Sequence, residues 1–292
     1  MSDKILYSVE EAEELVKAGE AVILDIRDAD KFAEEHIPGS VNVSDIFYYL
    51  AATTDDGLAE LHQQFAELFG AAGLDGSKTA IVCEDALNTQ YGGSCRGYWL
   101  LSYLGYPSAG ILDGGIRAWK ASGRRMTTDV TQPEPVTFPL SPRSGLLVTK
   151  AQMLAALDRD DLVLLDNRDR DEWLGESSSP YGKDFVPRKG RLPGALWLEW
   201  YELMDDSDVP AFKSSAEIRE IAGSRGIAPD DDVIIYCFKG ARASNTFVAL
   251  RQAGFRNLRI YLSSWNEWSK DASLPIESGI PGAAARPVKL SA

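Results

Sequence analysis

The chain has 292 residues, 45% of them hydrophobic and 25% charged, and carries a net charge of −14. That length favours two ordinary domains, the apolar fraction is that of a globular protein, and no apolar run approaches the roughly 18 residues of a membrane span. So acidic a surface repels phosphate backbones and anionic membranes, which sets nucleic acid and membranes aside as partners; an anionic substrate would need positive charge gathered locally.

The opening stretch MSDKILYSVEEAEEL mixes charge with apolar residues and has no apolar h-region, so a cytoplasmic protein is expected. Ser8-Val9-Glu10-Glu11 has the capping-box pattern that opens a helix. A buried-strand run, AVILDIRD from Ala21, comes next, then a Pro-Gly turn in HIPGSVNV from His36. TAIVCED from Thr79 is a second buried strand, and the helix after it is closed by Gly105 in a position suited to left-handed backbone. Asp113-Gly114-Gly115 reads as a strand-end turn, and Trp119 as core packing. Thr127 to Ser144, rich in Pro, Thr and Ser, is the expected linker.

The same succession then starts again. Thr149-Lys150-Ala151-Gln152 repeats the capping box, LVLLDNRD from Leu162 repeats the strand, and RLPGALWL from Arg191 repeats the turn after 14 additional residues. DVIIYCFKG from Asp232 repeats the second strand, with Gly254 and Trp268 standing for Gly105 and Trp119. Short apolar strands alternating with helices imply an α/β protein of two tandem domains, each a mainly parallel sheet with helices on both faces. The expected domains are residues 1–126 and 145–292, joined by 127–144. Asp25–Arg27 and Asp166–Arg168 occur in both copies and are assigned a structural ion-pair role.

The copies differ where a ligand would bind. In the second, a strand ending at Tyr236 runs into Cys237-Phe238-Lys239-Gly240-Ala241-Arg242, with a helix expected from about Ala243 or Ser244. A strand-to-helix loop at the carboxyl end of a parallel sheet is a binding position, and its N–H groups can cradle an anion. A helix N-terminus and cationic neighbours also favour the thiolate form of a cysteine. In the first copy Cys83 aligns with Tyr236, so the place of Cys237 falls to Glu84, and the first domain is expected to be inactive. Cys83 and Cys95 read as buried thiols. Three cysteines without a CxxC pair argue against a disulfide framework, and two histidines are too few for a zinc site; no metal or cofactor is implied.

These residues resemble the tandem-domain rhodanese family, which includes thiosulfate and 3-mercaptopyruvate sulfurtransferases. The resemblance runs from about Ser8 to Glu277, through LDIRD, HIPGSVN and ILDGGIRAWKASGRR in the first half, and LLDNRD, GRLPGA, YCFKGAR and IYLSSWNEWSKDASLPIE in the second. It implies covalent catalysis: Cys237 takes the outer sulfur of a small anionic donor as a persulfide and hands it to cyanide or a thiol. Phe238, Lys239, Gly240, Ala241 and Arg242 would bind substrate. A Cys-x-Lys-Gly loop goes with thiosulfate in this family and a Cys-Gly-Ser-Gly loop with 3-mercaptopyruvate, so CFKGAR implies thiosulfate, with 3-mercaptopyruvate as the alternative. Three departures stand out. Glu172 occupies the place of a substrate-reaching Arg, Arg191 replaces the usual His before the Pro-Gly turn, and Leu262-Ser263-Ser264-Trp265 replaces a DGSW-like segment. One or more of Lys183, Arg188, Lys189 and Arg191, Arg188 and Lys189 foremost, is expected to bring the missing positive charge from the 14-residue insertion.

Two other classes compete. A cysteine phosphatase of related fold requires Cys-x5-Arg, whereas Arg242 leaves only four residues between, which weighs against phosphate. A regulatory rhodanese module that binds a partner fits the first copy better than the second.

Overall fold

A computed structural model describes residues 4–281. In chain order the first copy runs β1 (Leu6–Tyr7), α1 (Val9–Lys17), β2 (Ala21–Asp25), α2 (Ala29–Glu34), β3 (Val41–Asn42), α3 (Asp55–Ala71), β4 (Thr79–Cys83), α4 (Gly93–Tyr103), β5 (Ala109–Leu112) and α5 (Gly115–Ala121). The second runs α6 (Lys150–Ala156), β6 (Leu162–Asp166), α7 (Arg170–Leu174), β7 (Leu196–Trp197), α8 (Ser215–Ser224), β8 (Asp232–Tyr236), α9 (Ala241–Gln252), β9 (Asn257–Ile260) and α10 (Ser264–Trp268). Both capping boxes form: Ser8 accepts from the Glu11 N–H, and Thr149 from that of Gln152. Each fixes a helix start and contributes about 1 kcal/mol.

Two sheets result, ordered β1-β5-β4-β2-β3 and β7-β6-β8-β9, and every strand pair is parallel. β2, β4, β6 and β8 are central strands and are buried almost throughout, which is why they read as continuous apolar runs. The registers confirm the alignment of the copies, since Asp25 pairs with Cys83 and Asp166 with Tyr236. Tyr236 uses its position differently from Cys83. Its hydroxyl donates to Asp166 at 2.6 Å and accepts from the Leu192 N–H.

The compact units do not follow the two copies cleanly. Among the described residues, one comprises 4–48, 58–144 and 206–211; the other comprises 49–57, 145–205 and 212–281. The Pro-rich stretch after Thr127 is built into the first unit. Thr127 pairs with His36, Val136 donates to Gly70 and Ser141 to Leu104, while Phe138 is buried between Phe69 and Tyr106.

Candidate active site

Cys237 follows the last residue of β8, and α9 begins at Ala241, two or three residues before the Ala243 or Ser244 expected from sequence. The cause is Gly240, whose φ of 91° makes it the helix N-cap in the left-handed region. The reversal is tight enough that the Gly240 N–H points at the Cys237 sulfur, 2.9 Å away. The first N–H groups of α9 have no partner inside the helix and face the same end. Cys237 is held from behind as well. Its N–H donates to the Ser264 hydroxyl at 3.1 Å, its carbonyl accepts from Trp265, and the Phe238 carbonyl accepts from Asn266. The opening turn of α10 thus fastens the loop by two backbone bonds and one side chain.

The first unit shows the loop without a nucleophile. Ile116 donates to the Glu84 carbonyl and Arg117 to that of Asp85, the counterparts of the Trp265 and Asn266 bonds. The Glu84 side chain turns into the cradle, where one oxygen accepts from the N–H and hydroxyl of Ser94 and the other from Thr89 at 2.8 Å. Ser94 lies in the first turn of α4, so the chain's own carboxylate takes the place an anionic ligand would fill. Burial pushes the Glu84 carboxyl up to about 7, against hydrogen bonds from Ser94 and Thr89 that favour its charge.

Arg242 is where the sequence places it, and the groups it forks onto are carboxylates. It is buried in the first turn of α9, forked onto Glu172 at 2.6 and 3.1 Å, and 3.1 Å from Asp169. Burial works against its charge, yet Glu172 outweighs burial and drives the guanidinium pKa up. Glu172, the departure noted in the sequence, therefore neutralises the arginine beside Cys237.

Arg188 and Lys189 require a correction, for neither brings charge to the loop. The Arg188 guanidinium donates to the backbone carbonyls of Trp268, Ser269, Asp271 and Leu274, so it pins the chain after α10. Lys189 is ion-paired with Asp184. Arg191 is likewise structural, lying 4.3 Å over Trp173 and donating to the Trp173 and Gly279 carbonyls. The insertion reaches the site through aromatics instead. Tyr181 and Phe185 pack edge-on against Phe238, and the Lys239 ammonium lies 5.0, 5.4 and 5.5 Å from the rings of Tyr181, Phe185 and Phe238. A fourth ring, Tyr49, stands nearer still at 4.7 Å. Sequence reasoning missed Tyr49 because it belongs to the first copy by position and to the second unit by packing.

Asp166 and Arg168 are buried and joined by a fork, with Arg168 also donating to the Gly190 carbonyl and stacking 4.7 Å over Trp265. This pair braces the floor on which Cys237 sits. No group of three or more His, Cys, Asp or Glu among the described residues is arranged for a metal ion.

The rhodanese-like domain family matches twice, over residues 8–122 and 149–271. The chain belongs to the rhodanese family. It is similar to the thiosulfate sulfurtransferase of Pseudomonas aeruginosa, 29% identical over 262 residues that span 89% of this chain and 92% of the relative. It is similar as well to the thiosulfate sulfurtransferase of Azotobacter vinelandii, 28% identical over 90% of this chain and 93% of the other. Among solved structures, a variant of EanB in complex with ergothioneine superposes with a TM-score of 0.83 at 20% identity, covering 96% of this chain and 71% of that one, a likeness of fold. This tandem rhodanese is a sulfurtransferase, with two parallel-sheet domains of which the second carries a cysteine at the head of its loop.

Proposed function

We propose that this rhodanese moves the outer sulfur of thiosulfate through a persulfide on Cys237 to a thiophilic acceptor, cyanide or a thiol. The observation that carries the reading is the 2.9 Å contact from the Gly240 N–H to the Cys237 sulfur at the start of a 12-residue helix. That position offers N–H groups to an anion, here the charge on the attacking and the transferred sulfur. The Cys237 thiolate attacks the outer sulfur, the S–S bond of thiosulfate breaks, and sulfite leaves with the electron pair. The outer sulfur, now bonded to Sγ, carries the negative charge inside the cradle. The acceptor then attacks that sulfur and the thiolate returns, so no net oxidant is consumed. Lys239 meets the donor's charge at the mouth, and the loop N–H groups hold the charge that moves onto the transferred sulfur. The naming of both curated relatives supports thiosulfate.

A second donor has a specific observation in its favour. With Arg242 neutralised by Glu172, the loop keeps less positive charge than CFKGAR promises, which suits the monoanion 3-mercaptopyruvate better than a dianion. The same fork weighs against a phosphatase, since Arg242 faces Glu172 instead of the cradle. The test compares kcat/KM for the two donors and weighs the protein by mass spectrometry after donor alone. A gain of one sulfur on Cys237, absent in Cys237→Ser, is expected, with thiosulfate preferred. An adduct on Cys83 or Cys95, or turnover that survives Cys237→Ser, overturns the reading.

A further inference from the structure

We propose that Lys270 is the second cation of the donor-binding mouth, taking the part that Glu172 withholds from Arg242, with the Tyr49 ring spacing it from Lys239. This deepens the sulfurtransferase reading and rests on it for the identity of the anion. The placement comes from α10. Its first turn bonds to the Cys237 and Phe238 carbonyls through Trp265 and Asn266, and Lys270 leaves the far end of the same short helix, donating to the Glu267 carbonyl. Its ammonium lies 5.6 Å from the Tyr49 ring, and that of Lys239 lies 4.7 Å from the same ring. Two ammoniums on one ring are drawn to its π-face and repel each other, so they stay near but apart.

Lys270 also keeps its charge for a ligand. It is exposed, and no carboxylate among the described residues is ion-paired with it, although the chain carries 14 excess negative charges. The two acids flanking it in sequence are both engaged. Glu267 accepts from the N–H and hydroxyl of Thr53 and from the Tyr261 hydroxyl, while Asp271 is bound by Lys150 and Ser273. Arg242, by contrast, is buried and forked.

The test uses the full chain and reads the charge at the mouth without depending on the donor. Cys237 is alkylated with iodoacetate, an anion, and with iodoacetamide, its neutral counterpart, and the ratio of the two rates is followed against ionic strength. Lys270→Gln is expected to lower that ratio about threefold and flatten its salt dependence, while the iodoacetamide rate stays put; Lys270→Arg restores it. Tyr49→Phe keeps the ratio and Tyr49→Leu lowers it. In parallel, Lys270→Gln raises the thiosulfate KM more than it lowers kcat. An unchanged ratio in Lys270→Gln overturns the proposal even if thiosulfate is turned over. A fall in the ratio with no thiosulfate turnover in the parent leaves the anion subsite standing and removes the donor assignment instead.

Discussion

Ser264 sits at φ 54°, a left-handed conformation that costs a non-glycine residue about 1 kcal/mol. Its counterpart in the first copy is Gly115, at φ 60°. What Ser264 gains is two hydrogen bonds: its hydroxyl accepts from the Cys237 N–H and donates to the Tyr261 carbonyl at 2.7 Å. At about 1 kcal/mol each, these offset the strain. Ser264→Gly removes strain and bonds together, so it is expected to lose about 1 kcal/mol of stability while kcat/KM for sulfur transfer falls about tenfold. Ser264→Ala keeps the strain and loses the bonds, and should lower stability by about 2 kcal/mol in a denaturant titration. Equal activity in all three proteins would deny the hydroxyl any part in placing Cys237.

At the scale of elements, a difference between copies singles out the loop in the sequence, and that loop joins β8 to α9. The environment of its charges was not legible. A Lys or Arg in a loop announces a cation, but only packing decides whether a carboxylate from another element reaches it, as Glu172 of α7 reaches Arg242 of α9. The basic insertion misled for a related reason. A guanidinium finds carbonyls as readily as substrates, and Arg188 finds four of them, while the insertion's two exposed aromatics do the reaching. Glu172→Gln is expected to hand charge back to the mouth and lower the thiosulfate KM about threefold. It should also cost roughly 3 kcal/mol, as the breaking of a buried pair does, readable in the same titration.

Over the whole molecule, two parallel-sheet halves were legible because buried central strands write themselves as apolar runs and the pattern occurs twice. The exchange of short segments was not, since Tyr49–Gly57 and Asp206–Ala211 carry no periodic signal that assigns them to a core. The cradle of the first copy also sets a pH dependence. Glu84 titrates near 4.5 when exposed and is raised by burial to about 7 when folded. The folded protein therefore holds this proton more tightly. The stability so gained is complete below about 4.5 and is lost as pH rises through about 7. At about 1.4 kcal/mol per unit the loss is on the order of 3 kcal/mol. Glu84→Gln can keep the Ser94 bonds on its oxygen and donate its amide to Thr89, so it should stabilise the protein at pH 8 by up to that amount and hardly at all at pH 4.5. Thermal melts at the two values check this, and equal shifts at both would contradict it.

The segment Tyr49–Gly57 also bears on how such a gene can shorten over generations. A duplicate without a nucleophile is ordinarily free to decay. Here, deleting the first copy would take away Leu50, whose carbonyl receives the Ser263 hydroxyl, and Thr53, which satisfies Glu267 on the helix that fastens the Cys237 loop. Selection on the copy that carries Cys237 thus keeps in the genome the copy that has Glu84 in its place.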